Sequence, residues 1–323
     1  MRHRLGNTGL KVSPVGIGTL TWGRDTTVTE AENIWNTAVE AGINLIDTSP
    51  TYGEGNAEST VGTVLEATGT ARDDVVIVTK GGYIPSETRF RYSASKSAIL
   101  SSIDRSLEAL KTDYIDVYLI ARPDSETPFE ESLEALSMAL RSGAIRHIGV
   151  SNFSAWDTAK VHFLAKEFGT KLATVSAEYS LLQRGVEREL LPGLRKENIG
   201  FVAWSALARG VLTGKYRHTT PPDSRAASPI LSGFVQPYLS NEYSAITEAV
   251  LAAASGLDVS ATTVALAWLT SQPGVTTALV GPRSELQAKQ IAGGMQFALP
   301  QPIIDALNEV SALRRNYPET EGI

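Results

Sequence analysis

The stretch YIDVYLIARPD (114–124) contains a mostly apolar run, IDVYLI (115–120), of the kind found in a buried β-strand. Isoleucine, valine and tyrosine favour strands, and a run that is apolar on both faces is typical of a parallel sheet with helices on each side. An alanine, Ala121, follows the run, and an arginine, a proline and an aspartate come next. If this strand leads into a functional site, it brings a methyl group there rather than a donor or a base.

Seven more segments have the same character and alternate with amphipathic helical patterns. Examples of the helical patterns are SKSAILSSIDRSLEAL (95–110) and PFEESLEALSMALRSG (128–143), which Gly143 is placed to end. Eight strand–helix units predict an α/β fold, the (β/α)₈ or TIM barrel. The alternative, an open doubly wound sheet, is disfavoured because no G-x-G-x-x-G follows the first strand. The other predicted strands are VGIG (15–18), INLID (43–47), VVIVTK (75–80), IRHIGV (145–150), ATVSAE (173–178), IGFVAW (199–204) and TTALVG (276–281).

The ends of the chain and one long loop complete the predicted architecture. HRLGNTGLKVS (3–13) predicts a β-hairpin with its turn at residues 6–9, suited to closing the barrel floor, and a helix is expected at the C-terminal end. No shift in composition marks a second domain, so we expect a single barrel domain over residues 1–323. The stretch 214–234 contains three prolines and is predicted to be a mobile loop over the top face.

Composition excludes several classes of protein. The chain has 323 residues, 29 lysines and arginines against 35 aspartates and glutamates, and a formal net charge of −6. Without a Lys/Arg-rich run, nothing indicates a nucleic-acid partner. The lack of cysteine excludes disulfides, zinc–thiolate sites, iron–sulfur clusters and thiol nucleophiles, and the four histidines show no metal-ligand spacing. With neither a signal-peptide pattern nor a long apolar run, we expect a soluble cytoplasmic protein that does not bind membranes.

Side chains that could take part in catalysis follow neighbouring predicted strands, where TIM barrels carry their active sites. Asp47 ends the second strand, Tyr52 lies in the loop after it, and Lys80 ends the third strand. An ammonium group beside a phenol is expected to lower the tyrosine pKa from about 10, while the aspartate keeps the lysine charged and oriented. The tyrosine could then protonate a carbonyl oxygen as a general acid, typically worth ~10²–10⁴ in rate.

Several motifs together resemble the aldo-keto reductase family in their order and spacing, from about residue 2 to residue 310. They look closest to the branch that includes bacterial reductases and potassium-channel β-subunits. The resemblance implies a barrel that binds NADP(H) without a Rossmann domain and reduces a carbonyl by hydride transfer. It also implies that Tyr52 is the general acid, that Lys80 lowers its pKa and that Asp47 pairs with Lys80. The motifs are GINLIDTSPTYGEGNAE (42–58), VTKGG (78–82), YIDVYLI with RPD (114–124), IRHIGVSNFS (145–154), AEYSLLQR (177–184) and WSALARGVLTGKY (204–216).

Ala121 departs from the family, which usually has a histidine there to orient and polarise the carbonyl. None of the four histidines obviously replaces it, although His218, in the long loop, could reach the mouth of the site. The alanine could be an engineered substitution, a natural change that makes room for a different substrate, or the mark of a protein that binds nicotinamide without efficient turnover. Losing one oxyanion donor costs on the order of 10²–10³ in rate, so Tyr52 and Lys80 would still support catalysis. We favour a natural variant with an altered pocket.

The resemblance also implies a set of NADP(H)-binding residues. Arg283 would pair with the 2′-phosphate, which favours NADPH over NADH. Ser176 stands where the family commonly has a glutamine, and Gln290 and Ile291 replace a common Glu-Asn pair, so looser adenine contacts are expected. The remaining predicted cofactor contacts are Gly18, Thr19 and Asp47 near the first two strand ends, Ser151 and Asn152 at the carboxamide, Trp204 under the nicotinamide ring, Ser205, Leu207, Gly210 and Lys215 at the pyrophosphate, and Gly281 and Gln287 near the adenosine phosphate.

The function expected from the sequence is NADPH-dependent reduction of a small carbonyl compound, as in a ketoreductase. Trp22, Tyr83, Arg122 and the 214–234 loop are the predicted substrate contacts. A second hypothesis is reduction of an enone, or of a keto-sugar or polyketide intermediate in natural-product biosynthesis. A third is a nicotinamide-binding regulatory or sensor module with slow turnover. A homo-oligomer is a possible assembly under each hypothesis.

Overall fold

The structure is a computed structural model that describes residues 2–86, 90–222 and 224–314. Eight parallel strands form a closed barrel in the order β3-β4-β5-β8-β9-β10-β11-β12, and β12 pairs with β3 to complete it. The predicted (β/α)₈ fold is therefore confirmed. In chain order the strands are β1 His3–Arg4, β2 Lys11–Val12, β3 Val15–Gly18, β4 Leu45–Asp47, β5 Val76–Gly81, β6 Tyr83–Pro85, β7 Phe90–Tyr92, β8 Ile115–Ile120, β9 Ile145–Ser151, β10 Leu172–Glu178, β11 Gly200–Trp204 and β12 Thr277–Val280.

Helices cover the outside of the barrel and begin and end at residues suited to those positions. Thr27 caps the first helix in a reciprocal capping box with Glu30, and Gly143 ends the fourth helix with a φ of 80°. The C-terminal helix expected from the sequence is present. In chain order the helices are α1 Val28–Glu40, α2 Ala57–Ala67, α3 Lys96–Leu110, α4 Phe129–Ser142, α5 Ala155–Glu167, α6 Leu190–Lys196, α7 Ser232–Val235, α8 Ser244–Leu257, α9 Ala261–Ser271, α10 Glu285–Gly294 and α11 Gln301–Val310.

The N-terminal hairpin of β1 and β2 closes the barrel floor, as predicted. Leu5 is completely buried and belongs to the same apolar cluster as interior strand residues such as Val117 and Val202. Gly6 has a φ of 55°, and a Cβ there would lie 2.4 Å from the carbonyl oxygen of Ala173. Only glycine lets the hairpin approach the barrel strands this closely.

A short hairpin of β6 and β7 follows β5 and was not expected from the sequence. The long 214–234 loop contains a helical turn at Arg225–Ala227 and the short helix α7. Its predicted mobility remains a prediction. The single domain over residues 1–323 also remains a prediction, because residues 315–323 lie outside the described part of the chain.

All eight barrel strands present their carboxyl ends at one face, which gathers side chains from distant parts of the sequence. The ends of β4, β5 and β8 are neighbours in the barrel, so Asp47, Lys80 and Ala121 come together there. In the described residues, no single helix is long and apolar enough to cross a membrane; the bent pair 241–257 and 261–271 passes that test on length and composition alone.

Candidate active site

A cavity of about 530 Å³ opens at the carboxyl-terminal face of the barrel. This volume lies within the range of small-molecule and cofactor sites. The sequence-predicted residues that line it are Gly18, Asp47, Tyr52, Lys80, Tyr83, Ala121, Ser151, Asn152, Ser176, Trp204, Ser205, Leu207, Gly210, Lys215, Gly281, Gln287 and Gln290.

Asp47, Lys80 and Tyr52 form one hydrogen-bonded unit at the base of this cavity. The Lys80 ammonium donates to both carboxylate oxygens of Asp47, at 2.9 and 3.1 Å, and to the carbonyl oxygen of Thr48 at 2.8 Å. It also lies 3.2 Å from the Tyr52 hydroxyl. Asp47 and Lys80 are both buried, so this charge pair is shielded from water. The predicted constellation is therefore assembled in space.

The electrostatics of this unit differ in one respect from the sequence-based expectation. Burial raises the pKa of the Tyr52 phenol, and the nearby Lys80 ammonium opposes that rise without overcoming it. The expected net lowering of the tyrosine pKa toward neutrality is therefore wrong, although Lys80 acts on this pKa in the predicted direction. Burial alone would lower the pKa of Lys80, but attraction to Asp47 and Tyr52 outweighs it and raises that pKa. Lys80 is thus a permanent cation, and Tyr52 holds its proton.

Ala121 lies at the end of β8 and contributes a methyl group to the cavity wall. Its N–H donates to the carbonyl oxygen of Gly81 at 3.3 Å, and its own carbonyl accepts from the Asn152 side-chain amide, also at 3.3 Å. Among the described residues that line the cavity there is no histidine. His3 contacts the carbonyl oxygen of Thr276 on the barrel floor, and His162 lies 3.3 Å from Glu197. No histidine therefore takes over the missing donor role.

The part of the cavity beside β9 to β11 has the polar and aromatic groups expected for a nicotinamide. Ser151 and Ser176 are buried side chains on neighbouring strands. Asn152, in a left-handed conformation with a φ of 59°, accepts a hydrogen bond from the Trp204 indole N–H at 3.2 Å. The Trp204 ring lies nearly parallel to Phe234, with centroids 6.4 Å apart. The Trp204 indole is therefore held by two neighbours, Asn152 at its N–H edge and Phe234 beside the ring.

The loop after β11 is built to approach an anion closely. Five of its residues have positive φ, namely Ser205, Ala208, Arg209, Gly210 and Gly214. Such backbone turns can form concave anion sites from peptide N–H groups. A Cβ at Gly210 would lie 2.9 Å from Cε and 3.1 Å from Nζ of Lys215, so the glycine leaves room for the lysine. These groups suit a pyrophosphate.

One arginine, Arg225, lines the cavity, and a second, Arg283, follows the cavity residues Gly281 and Pro282 in the sequence. Arg225, from the 214–234 loop, donates to the carbonyl oxygen of Gly281 at 2.9 Å, and its Nε is buried without a partner. Burial, and then repulsion by Arg283, lower the pKa of Arg225, while attraction to Asp25 opposes that lowering. The backbone N–H of Arg283 donates to the Gln287 side chain at 2.9 Å. Two neighbouring cations with a buried unsatisfied donor fit a dianionic phosphate.

Besides Arg283, three sequence-predicted residues do not line the cavity. Trp22, expected to contact substrate, is completely buried, because its indole packs in the main hydrophobic cluster and not in the cavity wall. Arg122, also expected to contact substrate, instead stacks on the Tyr92 ring at 4.6 Å. Thr19 is buried and donates to the carbonyl oxygen of Asp47 at 3.1 Å. Direct ligand contacts by these side chains are not supported, whereas Tyr83 does line the cavity as expected.

Other cavity residues were not identified from the sequence. Arg225 and Phe234 lie in the irregular 214–234 loop, and Leu20 lies in the loop after β3. Arg209 forms a bidentate ion pair with Glu178 and lies 3.6 Å from the centre of the Phe234 ring. The sequence predicted that the 214–234 loop covers the top face, which was the one indication that its residues could line the cavity. Which of its side chains turn inward is shown only by the folded chain.

The residues present fit NADP(H) as a bound group. One cavity is lined by an aromatic ring suited to a nicotinamide, by a glycine-containing turn with Lys215 suited to a pyrophosphate, and by Arg225, which suits an adenosine phosphate. Ile291 is buried in the wall at the adenosine end, where only Gln290 offers a hydrogen-bonding side chain of the two. In the described residues, no three histidine, aspartate or glutamate side chains are grouped as metal ligands.

The comparison with known families agrees with this geometry. The model of the aldo/keto reductase family matches residues 14–312, which covers most of the chain. That range includes all eight barrel strands and the Asp47–Tyr52–Lys80 unit. Members of this family are in general NAD(P)-dependent carbonyl oxidoreductases. This chain belongs to the aldo/keto reductase family.

Proposed function

We propose that the protein is an NADPH-dependent reductase of carbonyl compounds in which Tyr52 is the general acid. The observation that carries this proposal is the contact of 3.2 Å between the Lys80 ammonium and the Tyr52 hydroxyl inside the cavity. A buried cation held by Asp47 has no evident structural need to contact a phenol that lines an open cavity. It is, however, well placed to stabilise the phenolate that forms when the phenol gives up its proton.

The residues of the chain divide the chemistry between them. NADPH, when bound, supplies a hydride to the carbonyl carbon. Tyr52 donates its proton to the carbonyl oxygen, and Lys80 stabilises the resulting phenolate through the contact already in place. Asp47 keeps Lys80 oriented by accepting two of its hydrogen bonds. Since burial raises the pKa of Tyr52, the phenol is fully protonated at neutral pH and ready to act as an acid.

The preference for NADPH over NADH rests on Arg283 and Arg225. Burial lowers the pKa of Arg225, and repulsion by the Arg283 guanidinium lowers it further. A 2′-phosphate between them would relieve that repulsion and satisfy the buried Nε of Arg225. NADH has a hydroxyl at this position and would bring no negative charge to these two arginines.

A second candidate function is reduction of a conjugated double bond, or of a keto-sugar or polyketide intermediate. The specific observation in its favour is Ala121, whose methyl group leaves space where an imidazole would stand. The extra space would let a substrate lie deeper, so that a carbon further from the carbonyl receives the hydride. Tyr52 would still be the proton donor. The two candidates therefore differ in the bond reduced and not in the catalytic residues.

Single-turnover kinetics with an Ala121→His variant tests the proposal and separates the two candidates. The protein, loaded with NADPH, is mixed with a nitrobenzaldehyde or with a cyclic enone, and the loss of NADPH fluorescence is followed. For a carbonyl reductase, histidine should raise the aldehyde rate by ~10² or more, the scale of one oxyanion donor. A pocket adapted to enones should show the fastest reaction with alanine and the enone. No NADPH oxidation by either protein with any tested carbonyl or enone would contradict the proposal.

A further inference from the structure

A cluster of five buried polar side chains lies behind β5, between that strand and the helices α2 and α3. None of the five lines the cavity. Buried polar groups cost free energy unless they are hydrogen-bonded, and residues that break the apolar pattern of a core are found most often near functional sites. We call these residues the polar cluster. Glu58 lies on α2, Thr79 on β5, Ser102 and Ser106 on α3 and Tyr118 on β8, and each is at most 3% exposed.

Glu58 is the one carboxyl group of the polar cluster. Its Oε1 accepts a hydrogen bond from the Thr79 hydroxyl at 2.7 Å. Among the residues that the structure describes, Glu58 takes part in no ion pair. Burial raises the pKa of the Glu58 carboxyl. Hydrogen bonds from Thr79 and Ser106, and then the charges of Lys80 and Arg105, oppose this rise without overcoming it. The uncharged acid is therefore the favoured form.

The polar cluster contacts both neighbours of Lys80 along β5. Thr79 precedes Lys80, and its hydroxyl is bonded inside the cluster. Gly81 follows Lys80, and a Cβ there would lie only 1.5 Å from the Tyr118 hydroxyl. Because side chains alternate along a strand, Lys80 points to the opposite side, into the cavity. A change in the polar cluster can therefore move the Lys80 ammonium relative to the Tyr52 hydroxyl.

We propose that Glu58 is a positioning residue, which accepts the hydrogen bond of Thr79 as an uncharged acid and so keeps the Lys80 ammonium against Tyr52. This role rests on the proposed function, in which that contact of 3.2 Å stabilises the phenolate. Glu58 acts on the reaction through β5 and not by direct contact with a ligand, since it does not line the cavity. Small displacements of a catalytic group are enough to slow an enzyme.

Glu58→Gln and Glu58→Leu separate the hydrogen bond from the charge. The glutamine carbonyl can still accept from Thr79, so Glu58→Gln should reduce a nitrobenzaldehyde within about twofold of the wild-type single-turnover rate. Leucine has a similar size but no acceptor, so Glu58→Leu should be about tenfold slower or more, the scale of one hydrogen bond. NADPH affinity should not change in either variant, because Glu58 does not line the cavity.

Thr79→Val removes the other partner of the same hydrogen bond and keeps the shape of the side chain. It should slow the reaction as much as Glu58→Leu does, and the double variant should be no slower than either, because all three lose one shared interaction. Thr174→Val is the matched control. Thr174 is a completely buried threonine on β10 whose hydroxyl donates to the carbonyl oxygen of Gly200 at 3.0 Å. This variant should lose stability as Thr79→Val does but keep the wild-type rate.

NMR of protein labelled at the tyrosine ¹³Cζ atoms tests the positioning without any reaction. The Tyr52 signal, assigned by its loss in Tyr52→Phe, reports the surroundings of the hydroxyl. At neutral pH its chemical shift should be the same in the wild type and Glu58→Gln, and should differ in Glu58→Leu and Thr79→Val. Circular dichroism checks that each variant is folded.

Two results would overturn the positioning role. One is a Tyr52 signal that neither Glu58→Leu nor Thr79→Val changes. The other is a Glu58→Gln variant whose signal or rate differs from the wild type, since it would show that the charge of Glu58 matters and not its hydrogen bond. A chain that oxidises no NADPH would contradict the proposed function, and the Tyr52 signal would still decide whether Glu58 positions Lys80.

Discussion

The side-chain amine of Lys80 is held by the carboxylate of Asp47 through two hydrogen bonds of 2.9 and 3.1 Å, both buried inside the mouth of the barrel. A buried charge with its partner in place is tolerated, whereas the same charge alone is strongly unfavourable. The pair therefore combines two roles in one contact. It orients Lys80 toward Tyr52, and it keeps the buried charge of Lys80 compensated. Mutations of the pair can therefore measure its effect on stability separately from its effect on the reaction rate.

Lys80→Met should destabilise the fold by about 3–5 kcal/mol, because Asp47 is left as an unpaired buried carboxylate. The double variant Lys80→Met/Asp47→Asn has no buried charge and should recover most of that loss. Neither variant should reduce carbonyls at the wild-type rate. Urea denaturation of the three proteins measures the stabilities. A double variant that is as unstable as Lys80→Met would show that the pair is not the source of the loss.

The pH dependence of the chemical step follows from the raised pKa of Tyr52. Carbonyl reduction needs the protonated phenol, so its single-turnover rate should be level through neutral pH. It should fall only above the usual tyrosine pKa of about 10. Alcohol oxidation needs the phenolate and should rise with pH over the same range. A reduction rate that falls through a pKa near 7 would show that Lys80 outweighs burial, contrary to what we expect.

Arg225→Ala and Arg283→Ala should each weaken NADPH binding by about tenfold or more, at the 1.5–3 kcal/mol typical of a hydrogen bond to a charged group. NADH binding should change little, because it lacks the 2′-phosphate. Arg217→Ala is the matched control, since Arg217 lies on the same loop but pairs with Glu248 at 2.7 Å. Titration calorimetry with both cofactors gives the ratio of the NADPH and NADH dissociation constants for each variant. Equal losses of affinity for NADPH and NADH would show that these arginines do not contact the 2′-phosphate.

The floor hairpin offers a test of the fold with a built-in control. Gly6→Ala should destabilise the protein by about 1–3 kcal/mol or more, because its φ of 55° and the Ala173 carbonyl at 2.4 Å both oppose a Cβ. Gly9→Ala, in the same hairpin, should be nearly neutral, since a Cβ there would meet nothing within 4 Å. Thermal denaturation of the two variants compares them directly. Equal shifts in Tm would contradict the tight seating of the hairpin on the barrel.

Most of the architecture could be predicted from the sequence because each barrel strand has a recognisable local sequence pattern. Each is a short apolar run between turn residues, and none of the eight predicted strands differs from the structure by more than two residues at either end. The unexpected β6–β7 hairpin has strands of only three residues each, at Tyr83–Pro85 and Phe90–Tyr92. Runs that short carry no periodicity to detect.

The Asp47–Tyr52–Lys80 unit was predictable for a different reason, namely that strand ends in a barrel meet at one face. Asp47 and Lys80 lie 33 positions apart in the sequence and touch in space, as their places at neighbouring strand ends predict. Arg225 was missed because it lies in an irregular loop, where no pattern indicates which side chains turn inward. Trp22 was expected to contact the substrate, but its large apolar ring is completely buried in the core, where burial stabilises it.

The pKa of Tyr52 shows a similar limit. Proximity to a lysine could be inferred from the sequence, and it would lower the pKa by itself. The degree of burial of the phenol could not be inferred, since it depends on how the surrounding loops pack. In the folded protein burial is the larger effect.

The central claim is that Tyr52 protonates the substrate, and Tyr52→Phe tests it most directly. The variant keeps the ring and its packing beside Lys80 and removes only the hydroxyl. In single-turnover reduction of a nitrobenzaldehyde by bound NADPH, the rate should fall by ~10²–10⁴, the usual share of a general acid, while NADPH affinity stays within about twofold of the wild type. A Tyr52→Phe variant that reduces the aldehyde as fast as the wild type would contradict this assignment of the general acid.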